Sequence, residues 1–437
     1  MPAAIKSDAG PERRRGRPST KADKRAKLIE GATDIFNARG ISATSIVDIA
    51  ESIGLARATA YYYVKDRTEL VRLCYHRACQ IMADDIAAAA ERKTGLDRLL
   101  AFISLSLTPD RAPVAVLSEI HSLPAEIAEE IHTLHVQNVA DLVAFFETGR
   151  RDGSIGVHDT VLAAQSIIGM LSWTQLLPQW SDRMQREALR SRAAASMQDL
   201  ILYGVSRDPG LTFSCPINAD RYLPRLDDIF DRQQATQLKL ERLLATASKL
   251  FNRNGIEATS LDEIGGALGL TKGVIYHYFE DKPDLVRQCY ARSFALYGRF
   301  VEDAITAGRN GLERALINAH LNAQAQAGTV SPLMPQPGFE ALPEELRKEL
   351  HGRARAQNRA VADLLDNGIR EGLARECDAG LVTHLVAGAF GWIPKWLQPE
   401  DDRSPREIAD AICQIILSGV ATPEGAAAHS RSTTSSS

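Results

Sequence analysis

The segment TSIVDIAESIGLARATAYYYVKDRTEL, Thr44 to Leu70, recurs as TSLDEIGGALGLTKGVIYHYFEDKPDL, Thr259 to Leu285. In each copy an apolar pattern of helical period runs to a glycine (Gly54, Gly269) and then to a leucine expected to be buried in the turn (Leu55, Leu270). A second short helix follows and closes in an aromatic cluster. Ser45 with Asp48, and Ser260 with Glu263, have the spacing of an N-cap and its N3 carboxylate, which fixes where the first of the two helices begins. Two short helices around such a turn form a helix-turn-helix, whose second helix lies in the major groove of DNA.

The repetition extends past the motif. Phe36 and Phe251, Gly40 and Gly255, and Tyr61 and Tyr276 keep one offset. Leu123-Pro124 with Leu342-Pro343, Gly149 with Gly368, Gly153 with Gly372 and Trp173 with Trp392 keep an offset four residues larger. Whole units are therefore duplicated, and self-similarity at this scale decides the architecture before any local reading does. Apolar spacing is helical nearly throughout and strand-like alternation is absent, so the fold class is all-α.

Residues 1–23 read as a disordered basic arm and 24–78 as the first helix-turn-helix head. A first helical body covers 79–205, and a Pro- and Gly-containing linker 206–236. The second head is expected at 237–293 and its body at 294–420, before a disordered Ala/Ser/Thr-rich tail at 421–437.

The two motifs resemble the DNA-binding head of the TetR (TetR/AcrR-type) family of transcriptional regulators, from the helix before each motif (Lys27, Arg242) through the helix after it. The bodies resemble the family's variable ligand and dimerisation domains only loosely. The resemblance implies a dimer-like regulator that binds a double-stranded operator and changes its grip when a small molecule enters the helical body. It further implies that Arg57, Ala58, Thr59 and Tyr62 face base edges, that Tyr61, Tyr63 and Arg67 hold phosphates, that Ser45 adds a phosphate contact and that Val47 faces the groove. Lys272, Gly273, Val274, Tyr276, His277, Tyr278 and Lys282 would take the same roles in the second head, with Ser260 as the counterpart of Ser45. Three consecutive aromatic residues cannot all face inward from a helix, so Tyr62 and His277 are expected at the surface. Thr271 is expected to cap the second recognition helix, whereas Ala56 forgoes that bond at a cost of about 1 kcal/mol.

Charge has to be local if DNA is the partner, because the chain as a whole carries -4. From Met1 to Lys27 there are nine basic residues and three acidic ones. Arg13, Arg14, Arg15 and Arg17 in this arm suit a minor groove beside a head seated in the major groove. Lys24 to Arg77 holds nine basic and six acidic residues, while Lys239 to Arg287 holds seven of each. The first head should therefore bind more strongly. Both heads reading one asymmetric operator and an idle second head are the two readings left open.

In the bodies, Leu189, Ala193, Met197, Leu200 and Gly204 step at helical spacing, as do Ile408, Ile412, Ile415 and Gly419. The corresponding helices in the family form a four-helix dimer interface. We expect the two units to pair within one chain as a covalent pseudo-dimer suited to a non-palindromic site, with homodimerisation of the whole chain an open addition. Trp173, Trp392 and Trp396 are candidates for cavity walls, although plain core is the commoner fate of such residues. The wording Gly-x-x-x-Trp at Gly169 and Gly388 resembles that of family members answering lipid-like or acyl-CoA compounds.

Other classes fit poorly. His121, His132 and His135 are close in sequence, yet surface or core positions explain them more simply than a metal, and no cofactor is expected. Catalytic signatures are missing, and Asp84-Asp85 reads as a solvated helix face rather than an acid pair. The six cysteines lack a Cys-x-x-Cys pair, no stretch is apolar enough to span a bilayer, and the N-terminus is unlike a signal peptide. A cytoplasmic, ligand-responsive repressor is the expectation, with no enzyme activity and no membrane partner. Its alternative is an architectural or co-regulator protein without effector control.

Overall fold

Lys21–Arg39, Ile46–Ser52 and Arg57–Tyr63 form helices α1, α2 and α3 of a computed structural model that describes residues 21–109, 111–176, 186–224, 232–335 and 342–434. Regular structure among the described residues is helical, with two isolated β-bridges besides. The long α4 (Arg67–Ala89) follows. Leu28, Phe36, Ile49, Leu70 and Tyr75 are fully or almost fully buried and make the core of this first head. Asp66 starts α4 by accepting a hydrogen bond from the Glu69 amide. Because α4 passes unbroken through residues 78 and 79, the head is rigidly joined to the body, and the expected boundary lies inside one helix. The four arginines expected in the minor groove, Arg13, Arg14, Arg15 and Arg17, lie outside the described residues.

The first body consists of α5 (Gly95–Ser106), α6 (Ala125–Asp152), α7 (Thr160–Leu176) and α8 (Arg186–Tyr203). The second unit repeats the series. Its head is α9 (Arg232–Asn254), α10 (Leu261–Ala267) and α11 (Lys272–Tyr278), and α12 (Lys282–Ala307) again runs on into the body. There α13 (Gly311–Ala327), α14 (Glu344–Arg370), α15 (Ala379–Gly391), the one-turn α16 (Ile393–Trp396) and α17 (Pro405–Ser418) complete it. Each head keeps its own core, while the two bodies share a single continuous one.

The shared core is centred on a crossing of α7 and α15. A Cβ built on Gly169 would lie 2.6 Å from the Gly388 carbonyl oxygen and 2.8 Å from the Trp392 Cβ. One built on Gly388 would lie 2.7 Å from the Gly169 carbonyl oxygen and 2.7 Å from the Trp173 Cβ. The repeated Gly-x-x-x-Trp wording thus has a packing role: each glycine admits the other helix's backbone and tryptophan. Nearby, α8 meets α17 in the same reciprocal way. The Val205 amide donates to the Ile416 carbonyl at 2.9 Å, and the Val420 amide donates to the Ile201 carbonyl at 2.7 Å.

After its last helix each unit crosses to the other. Ser206 bridges Ala374 of unit two, and Ala421 bridges Ile155 of unit one. The segment expected as a loose linker from residue 206 instead buries Cys215, Ile217, Ala219 and Tyr222. It is held by Gln324, whose Oε1 accepts from the Ala219 amide and whose Nε2 donates to the Ile217 carbonyl and to His320 Nδ1. That leaves His320 Nε2 to donate to Asp410 at 2.8 Å, and burial depresses the pKa of this fully enclosed ring. The tail expected to be disordered at 421–437 also departs from the sequence reading. It forms α18 (Pro423–Thr434), pinned to unit one by His429 on Asp97 at 2.8 Å and Tyr203 with Ser430 at 3.1 Å. Alanine content permits the helix, and contact with another element supplies the stability that composition did not announce.

Candidate functional site

In α3 only Ala60 is fully buried, and Val64 just beyond it closes the head's core. The helical period therefore turns Arg57, Ala58, Tyr61 and Tyr62 outward. Tyr62 is 65% exposed and Tyr61 45%, while Thr59 and Tyr63 are half-buried. The same period in α11 buries Ile275 and Phe279 and exposes Gly273, Val274, Tyr276 and His277, with Tyr278 half-buried. The side chain of Lys272 lies outside the described residues. Rings repeat as well: Tyr62 meets Tyr63 edge-on at 5.2 Å, and His277 meets Tyr278 edge-on at 5.3 Å.

The supports of these helices follow from local sequence. Ser45 and Asp48 form a full capping box, and the hydrogen bond from Ser45 holds the Asp48 carboxyl below its ordinary pKa. Ser260 accepts from the Glu263 amide, but the Glu263 carboxylate binds Asn254 instead of completing the box. Val47 is half-buried beside Ser45. Gly54 and Gly269 take φ of +68° and +65°, the left-handed turn that an L side chain would strain. Two expectations change here. Leu55 is half-buried, but Leu270 is 37% exposed; and Thr271 makes no side-chain cap, so α11 begins as uncapped as α3 after Ala56. Arg67 Nη1 donates to the Ser42 carbonyl at 3.0 Å, and Lys282 Nζ donates to the Glu257 carbonyl at 3.0 Å. Both cations thus brace the loop that leads into the first motif helix. Lys21 Nζ donates to the Tyr62 hydroxyl at 2.8 Å, so the first turn of α1 sits beside the recognition helix.

Among the described residues each body contains a cavity between its helices, and the two are unequal. That of unit one measures about 710 Å³ and that of unit two about 120 Å³. Each is lined in part from across the α7–α15 crossing. Trp392, Lys395 and Trp396 of unit two line the larger, and Trp173 of unit one lines the smaller. His121, His132 and His135 all line the larger cavity, where burial pulls the pKa of His135 down to about 4 and that of His121 below its ordinary value. Among the described residues no group of His, Cys, Asp and Glu is disposed to hold a metal ion. Asp85, expected on a solvated face, is 5% exposed, since Arg111 from a later loop pairs with it at the cavity wall.

Two family models match, each of them twice. Bacterial regulatory proteins, tetR family, matches residues 28–74 and 243–289. Tetracyclin repressor-like, C-terminal domain, matches 93–180 and 312–420. The chain belongs to the TetR family of transcriptional regulators. It is similar to the HTH-type transcriptional repressor KstR2 of Mycobacterium tuberculosis, 26% identical over 196 residues that make up 42% of this chain and 92% of the relative. It is also similar to the HTH-type transcriptional regulator AcrR of Shigella flexneri, 39% identical over 61 residues, 14% of this chain and 28% of that one. Among solved structures, KstR2 of Mycobacterium tuberculosis has 20% identity and a TM-score of 0.36, covering 46% of this chain and 98% of its own. PfmR, a TetR family regulator from Thermus thermophilus, has 24% identity and a TM-score of 0.33, covering 40% and 97%.

Against this TetR background, the residues that sequence reading passed over lie under the heads. Glu119 is fully buried, and its Oε2 accepts the Ile41 amide at 2.6 Å while Oε1 has no partner. Burial raises its pKa. Lys395 Nζ donates to the Ser118 carbonyl at 2.6 Å and to the Arg253 carbonyl at 3.1 Å. Arg253 is in the last turn of α9, so this cation fastens the first helix of head two to a loop of unit one. The contact of Lys395 with Ser118 joins residues 277 apart in sequence, and no local pattern announces it.

Proposed function

We propose that this TetR-family chain is a ligand-responsive repressor whose two heads grip one asymmetric operator, the two units pairing within the chain as a covalent pseudo-dimer. The observation that carries the reading is the matched outward face of α3 and α11, with Tyr62 and His277 exposed at equivalent positions. Arg57, Ala58, Thr59 and Tyr62 read bases, as do Lys272, Gly273, Val274 and His277. Tyr61, Tyr63, Tyr276 and Tyr278 engage phosphates, with Ser45, Ser260, Arg67 and Lys282 at the edge. Arg13, Arg14, Arg15 and Arg17 follow the minor groove. The effector, a lipid-like or acyl-CoA compound, occupies the larger cavity, whose volume is in the range of small-molecule sites.

Balanced charge in head two favours a second reading, in which that head is idle and only the first holds DNA. Footprinting on the chain's own genomic DNA supplies the operator. Band shifts on it with Tyr62→Ala and His277→Ala then discriminate: both substitutions should weaken binding by about tenfold, a loss typical of one good base contact. Unchanged affinity in His277→Ala would leave the idle-head reading, and unchanged affinity in both would remove DNA recognition by these helices altogether. Sedimentation at 47.7 kDa supports pairing inside one chain, and twice that mass supports pairing between chains.

A further inference from the structure

Lys395 belongs to unit two by sequence and to the cavity of unit one by position. It lines that cavity beside Trp396, while its Nζ is held by two backbone carbonyls, Ser118 and Arg253. Met82, Phe102, Val139, Ile168 and Leu171 give the cavity apolar wall, while its other charged lining residues are Arg111, paired with Asp85, and Glu129. Two buried polar atoms of lining residues have no partner, Gln165 Oε1 and Trp396 Nε1. Both atoms are closed off within the wall and do not open onto the cavity. Burial brings the Lys395 pKa down to about 7, with Glu119 opposing the fall.

We propose that the larger cavity takes an amphipathic ligand ending in a carboxylate, with Lys395 as the cross-unit anchor of that headgroup and the apolar walls receiving its body. This rests on the reading of that cavity as the effector site. A carboxylate gives the Lys395 ammonium a charged acceptor in place of neutral carbonyls. Drawn toward the ligand, Lys395 releases the Arg253 carbonyl, and head two loses its tie to the Ser118 loop. Glu119 sits next to Ser118 and holds the Ile41 amide just beyond α1, so the same movement loosens the seat of head one. The occupied cavity and the spacing of the heads are thereby linked through one side chain.

The test titrates the full chain with sodium decanoate, decan-1-ol and decylamine, following tryptophan fluorescence and calorimetry in the absence of DNA. Decanoate should bind at least about tenfold more tightly than the alcohol, with the amine weakest. Lys395→Met should abolish that preference, and Lys395→Arg should keep it. Equal affinity for acid and alcohol in the unaltered chain, or no saturable decanoate binding, overturns the proposal without any variant having to fold. A preference that survives in Lys395→Met also overturns it. Band shifts with decanoate are read separately: acid binding that leaves operator affinity untouched counts against the ligand-responsive reading and leaves the anchor standing.

Discussion

Gly169 and Gly388 lie back to back where α7 crosses α15, each within 2.7 Å of the other's carbonyl oxygen if a Cβ were added. A methyl group at either position meets backbone that cannot rotate away. Gly169→Ala and Gly388→Ala should each lower stability by about 1–3 kcal/mol, the usual cost of overpacking. Gly298, mid-way along α12 with open space around its Cβ position, is the control. Gly298→Ala should stabilise by about 0.5–1 kcal/mol. Melting temperatures of the three variants decide it, and a neutral Gly388→Ala would mean that the crossing is looser than described.

The basic arm makes a salt-dependent prediction. Converting Arg13, Arg14, Arg15 and Arg17 to alanine should weaken DNA binding and flatten the slope of log affinity against log salt by roughly 2 to 4, at about 0.9 per phosphate lost. Titrations between low and moderate salt measure that slope. A slope identical to that of the unaltered chain would assign the arm to solubility instead of DNA.

His384 predicts an acid sensitivity. Burial holds its ring at a pKa of about 4, against an ordinary 6.5, and its Nε2 has no hydrogen-bond partner. Between those values the unfolded chain binds a proton that the native one refuses, so stability is present above 6.5 and is lost as pH falls toward 4. The loss amounts to about 2 kcal/mol by pH 5. The difference in melting temperature between pH 7 and pH 5 should therefore shrink in His384→Gln. If both proteins lose the same number of degrees, the ring is protonated in the native state.

The closing helix predicts a truncation effect. Ending the chain after Thr422 removes α18 with the His429–Asp97 and Tyr203–Ser430 contacts but keeps the Ala421 bridge. Stability should fall by roughly 1–2 kcal/mol, and amide exchange should quicken around Asp97 and Ser154. Unchanged exchange there would show that the helix merely rests on the surface.

The heads were legible because everything that shapes them is local. A serine three residues before an acid, a glycine in a left-handed turn and an apolar period are all read within one turn of helix, and the repeat doubled the signal. The misreadings share the opposite property. Asp85 looked solvated until Arg111 from a distant loop covered it. The segment after Ser206 looked like a linker because Gln324 and His320, which hold it, belong to the other unit. Thr271 has the backbone of a cap without the bond, since propensity describes what a hydroxyl can do and tertiary geometry decides whether it does. The cross-unit placement of Lys395 depends on a crossing between elements encoded about half the chain apart.

On the proposed pairing within one chain, the two halves, whose exit segments end on each other at Ser206 with Ala374 and Ala421 with Ile155, meet at a local concentration set by their tether and not by cellular abundance. Dilution cannot part them. Under that pairing, the number of molecules in a cell fixes how often an operator is occupied without first fixing how many have found a mate, and each half is at liberty to drift toward its own half-site.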